Sequence, residues 1–453
     1  MRLPFWCLHP HCGIHYNQIM KRLFYKVLIP VLLVFALTGC VTSPEAGLAD
    51  TNSYAEDPLA SDGDDSQSES VVASAGDSAA ALDLASQIAK QPLSELLPED
   101  SAFSILFVNV GKADAAVLRF GEHTVLIDTG SKESVPQLLA GLHALRVTSI
   151  DAVFLTHSHS DHIGGLDALA ANYSIPMVYS PFFSEADKND SGKIVKRAEK
   201  LGLVHKELNA GDVVPIADGV SFSVLGPLAL NEADDNDNSL VLQFSYGGKT
   251  FLFAGDMQFA EEQTIIDSGV TLKSDLLKVG NHGNPDATGE DFSVLVSPSI
   301  GIISTNTTED TDSANPRVFS ALSMADVFVT QYFPLGILLT LDDAGEINLS
   351  NPLDEASPVS VSIDQIDTES QLILLANNGS SAADLSGCIL FSVRSGAALR
   401  FPAGTVLAAG ESLTVGEGQS LFFANEDKPL NKKKSNTVQL FSPLGTLISE
   451  LAE

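Results

Sequence analysis

The segment 156–162, Thr-His-Ser-His-Ser-Asp-His, limits the fold and function of this chain more than any other stretch. It places three histidines and one aspartate within six consecutive positions, directly after the apolar segment 151–155, which predicts a strand. Side chains of an extended segment alternate between two sides, so His157 and His159 project to the same side and can bind one cation. The segment therefore predicts a metal site at the end of a strand.

The same segment supplies ligands for a second cation. Asp161 and His162 follow a few residues later, where Gly164 and Gly165 allow the chain to turn into a helix that begins near Leu166. Imidazole and carboxylate ligands without thiolates suit Zn²⁺, Mn²⁺ or Fe²⁺. The alternative is a chance cluster of polar loop histidines, which is disfavoured because the chain has only 10 histidines in 453 residues.

The spacing His-x-His-x-Asp-His resembles the metal-binding motif of the metallo-β-lactamase superfamily, and further segments occur in that family's order. They are most similar to the ComEC/Rec2-like branch, which includes the extracellular nuclease domain of a DNA-uptake channel. The resemblance covers roughly residues 101–350 and implies an α/β fold, the αβ/βα metallo-β-lactamase sandwich. The further segments are 108–115, 126–130, 236–242, 251–256 and 277–283.

This resemblance implies which residues bind the metals. His157 and His159 would hold the first of two divalent transition metal ions, zinc or manganese. Asp161, His162 and His282 would hold the second. Two cations that share a hydroxide lower the pKa of bound water and polarise the oxygen under attack, so the implied reaction is hydrolysis. Asp161 would orient the attacking hydroxide and so be the catalytic residue.

Four other residues match positions around these ligands. Asp256, at the end of an apolar strand, would bridge both ions, and Asp128 would orient a ligand histidine. Asp114 would lie near the site without a firmer role. Asn238 stands in the region where true β-lactamases have a third histidine for the first ion, so that ion would be held weakly. Each acid on its own also fits a turn or cap at a strand end.

Departures from the family pattern affect the prediction of the substrate more than the prediction of the metal ligands. Asn281-His282-Gly283 keeps the ligand of the usual His-His-Gly but loses its neighbour. Asn315-Pro316 stands where the branch has His-Pro, and Lys112-Ala113 replaces Gln-Gly. We predict a phosphodiesterase or nuclease that acts on extracellular DNA. The alternatives are a hydrolase of a small lactam, lactone or ester, and a non-enzymatic surface binding protein.

The charge of the chain restricts any contact with nucleic acid to a local surface. The formal net charge is −33 at pH 7, whereas a nucleic-acid-binding protein usually presents a basic face. One candidate is a predicted helix within 188–206, whose basic residues would contact phosphates. The alternative is a solvated helix face without a partner. The basic residues are Lys193, Lys196, Arg197 and Lys200.

The beginning of the chain has the pattern of an exported lipoprotein. Two basic residues precede the apolar run 27–37, and Leu-Thr-Gly-Cys ends at Cys40. This pattern resembles a bacterial lipoprotein signal, in which residues 1–39 are the signal peptide and Met20 is an alternative start. Lipidated Cys40 would then anchor the protein to a bacterial membrane outside the cytoplasm. A secretory signal that is cleaved elsewhere is the alternative.

Composition divides the rest of the chain into a linker and a second domain. Residues 40–98 are rich in Ser, Ala, Asp and Glu, and they predict a flexible acidic linker with a short helix around 79–89. From 357 to 453, short strands between turn residues predict an all-β sandwich. This segment is similar to the lamin-tail domain, an immunoglobulin-like module that implies adhesion or substrate positioning. Cys388 would be a buried small residue there.

Overall fold

The computed structural model describes residues 73–97, 102–182, 192–353 and 359–453, with the exception of 425 and 427. All of them belong to one compact unit, Gln67–Glu453. The predicted signal peptide, Cys40 and the first part of the predicted linker lie outside the described residues. Within these described ranges, no helix has both the length and the apolar character needed to cross a membrane.

The first half of the N-terminal domain alternates between strands and helices. In chain order its elements are α1 (Ala73–Gln87), β1 (Lys90–Pro92), α2 (Leu93–Leu96), β2 (Phe103–Val108), β3 (Ala116–Phe120), β4 (His123–Ile127), α3 (Val135–Ala144), β5 (Ala152–Phe154), α4 (Ser160–Ile163), α5 (Leu166–Asn172), β6 (Val178–Pro181), α6 (Gly192–Leu201) and β7 (His205–Leu208).

The second half of this domain begins with antiparallel strands and ends with an antiparallel pair. Its elements are β8 (Val213–Ala217), β9 (Val220–Gly226), β10 (Val241–Tyr246), β11 (Lys249–Phe253), α7 (Phe259–Ser268), β12 (Leu276–Lys278), α8 (Glu290–Val296), β13 (Ile300–Ile303), α9 (Pro316–Ala321), β14 (Asp326–Val329), β15 (Gly336–Leu341) and β16 (Ile347–Leu353). The predicted hairpin at Gly247-Gly248 joins β10 to β11.

The C-terminal domain consists of short strands, as its turn-rich sequence predicts. They are β17 (Val361–Asp367), β18 (Leu372–Asn377), β19 (Ala383–Asp384), β20 (Ile389–Ser392), β21 (Ala397–Arg400), β22 (Val406–Leu407), β23 (Ser412–Gly416), β24 (Thr437–Phe441) and β25 (Leu447–Ala452). They form sheets of three, two and four strands with antiparallel pairing. Cys388 is fully buried in the core between them, as predicted.

Two large sheets face each other in the N-terminal domain. The first has nine strands in the order β1-β16-β15-β2-β3-β4-β5-β6-β7, and the second has seven in the order β14-β13-β12-β11-β10-β9-β8. An aromatic core joins them: Phe107 of β2 stacks on Phe253 of β11 at 5.9 Å, and Phe154 of β5 stacks on Phe222 of β9 at 5.1 Å. Helices cover the outer faces of the sheets. The predicted αβ/βα sandwich is thereby confirmed.

The two domains share one apolar core. Helix α3 is buried on nearly all sides, because one face packs on β2 and another meets β20 and β21. Ile389 and Phe391 of β20 join Leu138 and Leu142 of α3 in the same cluster. The C-terminal sandwich therefore completes the helical layer of the first domain.

The predicted linker is wrong for residues 73–97. Helix α1 begins earlier than the predicted short helix and packs on β14 and α9, where Ala81 and Ala85 are buried. Strand β1 pairs in parallel with β16 at the edge of the first sheet. The average composition of this segment did not predict these contacts. Two small alanines one helical turn apart are enough to bury one face of a helix, even where most of the surrounding residues are polar.

Candidate metal centre

The predicted ligands lie in loops at the carboxyl ends of strands from both sheets. Asp128 follows β4 and His157 comes shortly after β5, and these two strands are parallel neighbours. Asp256 and His282 follow β11 and β12, which are also parallel neighbours. Because the ends of parallel neighbours meet at one sheet edge, residues more than 150 positions apart come together.

The segment after β5 bends at His157 and Ser158, where the sequence predicted an extended backbone. His157 and His159 approach each other, with His157 Nε2 at 3.0 Å from His159 Nδ1. Helix α4 then carries Asp161 and His162. Glycine is required directly after it, because a Cβ atom at Gly164 would lie 2.4 Å from the backbone nitrogen of Lys132.

Asp256 lies at the centre of the cluster. Its Oδ2 atom is 3.1 Å from His162 Nε2, 3.2 Å from His282 Nε2 and 3.9 Å from His157 Nε2. The hydroxyl of Ser239 accepts a hydrogen bond from the Asp256 backbone N–H at 3.0 Å, which fixes this loop. An oxygen surrounded by three imidazole nitrogens is where a carboxylate that bridges two cations would be.

His282 reaches the cluster through an unusual backbone conformation. Asn281 and His282 have φ values of +42° and +52°, a region that non-glycine residues seldom adopt and that is found at functional sites. The conformation is held by a hydrogen bond of 2.9 Å from Asn281 Nδ2 to Asp286 Oδ1. His282 Nδ1 lies 2.9 Å from the carbonyl oxygen of Ser304, so Nε2 faces the carboxylates.

Asp128 occupies the position of an acid that orients a ligand histidine. Its Oδ2 is 2.8 Å from His162 Nδ1 and accepts from the hydroxyl of Thr156 at 2.8 Å, and its Oδ1 accepts from the backbone N–H of Thr156 at 2.8 Å. The bond between Asp128 and His162 Nδ1 fixes the ring of His162 so that Nε2 faces Asp256. The side chains of Asp128 and His162 are both almost fully buried.

Two lysines at the site were not predicted. Lys278 is buried at the end of β12 and pairs with Asp114 at 2.9 Å, although these residues are 164 positions apart. Lys112 pairs with Asp161 at 2.8 Å near the surface. The sequence contained a signal for both lysines. Lys278 lies inside an apolar strand and Lys112 lies close to a predicted acid, and a lysine in either setting needs a partner for its charge.

The structure places Asp114 closer to the ligands than its sequence suggested. Single ligand atoms of Asp114, His162, Asp256 and His282 all lie within 4.8 Å of one another. Asp114 Oδ1 and Asp256 Oδ1 are buried and have no hydrogen-bond partner within the described part of the chain. Buried carboxylate oxygens without partners are costly unless a cation binds them, so this donor set fits a divalent metal.

Asn238 supports a loop, and within the described residues its amide is hydrogen-bonded to that loop and to no histidine, so it does not replace a ligand. Its Oδ1 accepts from the backbone of Asn231 at 2.7 Å, and its Nδ2 donates to the Asn231 carbonyl at 2.9 Å. The loop that it braces carries Asp235, which accepts a bond of 2.6 Å from the hydroxyl of Ser158. Asn238 thus holds the segment of His157 and His159 indirectly.

The cluster strongly perturbs proton binding. Burial lowers the pKa of His157 well below its usual value, and repulsion by His162 adds to this effect. Burial also opposes charge on His282, but attraction by Asp256 and hydrogen bonding to Asp161 raise its pKa to about 9. Burial opposes the charge of Asp161 as well, yet its bond to His282 and the charge of His162 lower its pKa. The carboxylates of Asp161 and Asp256 therefore favour a positively charged group in the space between them.

The basic face predicted for α6 is only partly available to a ligand. Lys193, Lys196 and Lys200 are exposed. Arg197 is partly buried, pairs with Asp167 at 3.1 Å and donates to the carbonyl of Gly164 at 3.0 Å. Because Gly164 follows the metal-binding segment closely, α6 lies against the back of that segment.

The fold and the buried cluster of histidines and carboxylates define an enzyme, a metallo-β-lactamase-fold hydrolase. Residues 108–307 match the family model of the metallo-beta-lactamase superfamily, and residues 354–453 match that of the Lamin Tail Domain. The superfamily implies divalent metal ions, with which the donor set agrees.

Several curated proteins are similar to parts of the chain. ComE operon protein 3 of Bacillus subtilis is 34% identical over 37% of this chain and 21% of its own length. Competence protein ComA of Neisseria gonorrhoeae is 28% identical over 50% of this chain and 30% of its own length. Exodeoxyribonuclease WalJ of Streptococcus pneumoniae is 28% identical over 32% of this chain and 54% of its own length. The chain thus spans between a fifth and about half of these relatives, and the first two support the ComEC-like branch.

Proposed function

We propose that this chain is a zinc- or manganese-dependent phosphodiesterase that acts on extracellular DNA. The observation that carries the proposal is the approach of three histidine nitrogens to Asp256 Oδ2, at 3.1, 3.2 and 3.9 Å. The similarity to a competence protein and to an exodeoxyribonuclease favours a nucleic acid as the substrate. Hydrolysis of a phosphodiester requires the stabilisation of negative charge, which a two-metal site provides.

The residues of the chain would prepare the site for this reaction. Bound divalent cations would supply a Lewis acid and lower the pKa of the attacking water. Asp128 and the carbonyl of Ser304 would hold His162 and His282 with their Nε2 atoms inward. Asp161 lies at the edge of the cluster, where it would accept a hydrogen bond from the attacking water and orient it.

The exposed lysines of α6 would attract the DNA backbone. Lys193, Lys196 and Lys200 would contact phosphates, whereas Arg197 would contribute charge while it stays bound to Asp167. Phosphate contacts release counterions, so affinity should fall as salt rises. Replacement of the three lysines by glutamine should flatten that dependence, whereas the same change of Lys432, Lys433 and Lys434 in the C-terminal domain should not.

The experiment that tests the function is a cleavage assay with metal-loaded full-length protein. Supercoiled, linear and single-stranded DNA are each incubated with Zn²⁺, Mn²⁺ or Mg²⁺, and Asp256→Asn serves as the inactive control. We expect metal-dependent cleavage that a chelator abolishes. Absence of cleavage, together with turnover of a lactam, lactone or ester by the same preparation, would refute the phosphodiesterase proposal.

A small-molecule hydrolase is the second candidate, and one feature of the opening favours it. Glu309 accepts a hydrogen bond of 3.2 Å from the backbone of Lys112, and the charge of Asp310 acts on the same lysine. These acids, with the net charge of −33, oppose the approach of a polyanion. Comparison of a dinucleotide with long DNA separates the candidates, because a nuclease should prefer the longer substrate at low salt.

We also propose that the protein is anchored by a lipid on Cys40. The apolar run that ends in Leu-Thr-Gly-Cys supports this proposal. Cys40→Ser should remain uncleaved or leave the membrane fraction, and Cys388→Ser should behave as the wild type. Unchanged fractionation and migration of Cys40→Ser would refute the anchor.

A further inference from the structure

The predicted metal ligands differ in how far they are exposed to solvent. The side chains of His157, His162 and His282 are fully buried, and that of Asp256 is 3% exposed. In contrast, the Asp161 side chain is 19% exposed and that of Lys112 is 29% exposed. His159 is exposed as well, so a substrate can reach the cluster beside His159 or beside the pair of Lys112 and Asp161.

Lys112 has a fixed position at this opening, unlike an ordinary surface lysine. Its backbone N–H donates to Glu309 Oε2 at 3.2 Å. Two positions later, the N–H of Asp114 donates to the carbonyl of Asp161 at 3.1 Å, and the Asp114 carbonyl accepts from Gly130 at 2.7 Å. The loop that carries Lys112 is thus bound to the metal-binding segment on one side and to the loop of Glu309 on the other.

The ammonium group of Lys112 can serve a second partner. It carries three donor hydrogens, and Asp161 Oδ2 accepts one of them at 2.8 Å. Since the side chain is partly exposed, the remaining hydrogens can reach a group that enters the opening. Lysine binds phosphate oxygens as a compact positive charge, whereas it adds little for a neutral lactam or ester.

We propose that Lys112 is a specificity-determining residue that binds an anionic phosphoryl oxygen of the substrate at the opening of the metal centre. The inference rests on the proposed phosphodiesterase function, which it deepens by assigning the preference for a charged ester. In this arrangement Asp161 holds the ammonium in place while the phosphoryl group lies between Lys112 and the histidines.

The experiment uses metal-loaded full-length protein and three variants. Lys112→Gln removes the charge and keeps a polar side chain of similar length, Lys112→Arg keeps the charge, and Lys90→Gln is the control at an exposed lysine on β1. Inorganic phosphate binding is measured by calorimetry, and KM and kcat are measured with bis(p-nitrophenyl) phosphate. Elemental analysis gives the metal content of each protein.

We expect Lys112→Gln to weaken phosphate binding and to raise KM by about tenfold or more, with a smaller change in kcat and unchanged metal content. Lys112→Arg should recover most of the phosphate affinity, and Lys90→Gln should match the wild type. Unchanged phosphate affinity in Lys112→Gln would overturn the proposal, because the lysine would then only balance Asp161. Loss of metal together with phosphate affinity would also overturn it, because it would assign Lys112 to the support of the ligands.

Failure of this proposal is distinguishable from failure of the proposed function. A wild-type protein that cleaves no phosphodiester refutes the phosphodiesterase, and the phosphate titration still shows whether Lys112 binds the anion. Conversely, a wild type and a Lys112→Gln variant that cleave DNA with equal KM refute the role of Lys112 alone.

Discussion

The metal centre has two halves that differ in how firmly their residues are held. The deep half is formed by Asp128, His162, Asp256 and His282, whose side chains are at most 3% exposed and which come from four separate segments of the chain. The shallow half is formed by His157, which is buried, and His159, which is exposed, and both come from one segment. In the deep half Asp128 holds His162 and the carbonyl of Ser304 holds His282, whereas His159 has no comparable support among the described residues. We therefore expect the deep half to bind a cation more tightly.

The strongest test of this difference compares Asp256→Ala with His159→Ala. Asp256 lies between the three buried histidines, so its loss should remove metal from both halves and reduce activity by more than about 100-fold, the upper range for an outer support. His159→Ala should release only the weaker ion. Elemental analysis and the cleavage assay measure both effects. Equal metal loss in the two variants would show that the halves do not differ.

The supports of the two halves should also differ in strength. Asp128→Asn removes the carboxylate that orients His162, and we expect the metal affinity of the deep half to fall about 10- to 100-fold. Asp235→Ala removes the acceptor of the Ser158 hydroxyl. It should lower metal affinity by a smaller factor, and only in the shallow half. Chelator competition measures these affinities. A larger effect of Asp235→Ala would reverse the comparison.

Metal uptake by the two halves should depend differently on pH. In the metal-free protein the pKa of His282 is raised to about 9, so below pH 9 this histidine must release its proton before it can bind metal. Affinity of the deep half should therefore rise with pH, by about tenfold per unit for each proton released, until about pH 9. The pKa of His157 is lowered, so it is already neutral near pH 7 and requires no proton release. Chelator competition between pH 6 and 9 measures this dependence. A metal affinity of the deep half that does not change with pH would contradict the prediction.

The smallest effect on metal is expected for Asn238→Ala. Its side chain binds the backbone of Asn231, so its loss leaves a partly buried N–H without this acceptor and should lower the free energy of unfolding by about 0.5–1.5 kcal/mol. Metal content should stay near that of the wild type, because the amide supports a loop. Denaturant unfolding and elemental analysis are the measurements. Loss of the shallow ion without loss of stability would make Asn238 a ligand.

Local spacing was sufficient to single out one segment that carries both residues of the shallow half and His162 of the deep half. His157 and His159 are two positions apart, and Asp161 and His162 lie on α4, directly before the two glycines. The family resemblance was sufficient to predict the sandwich as well. Local composition failed at residues 73–97, where contacts with β14, β16 and α9 determine the structure.

The pairs around the site could not be read from spacing. Lys278 meets Asp114 across 164 positions, and Lys112 meets Asp161 across 49. The contact of α3 with β20 likewise joins two segments that look like separate domains in the sequence.

The sequence by itself determined the type of chemistry, since a few ligands at fixed spacing restrict which cations and reactions are compatible with the chain. Only the tertiary structure decided which charges neutralise each other, which ligands are buried and where a substrate can enter. The physical reason is that side-chain direction follows from local backbone geometry, whereas burial and ion pairing depend on which strand ends become neighbours when the two sheets pack.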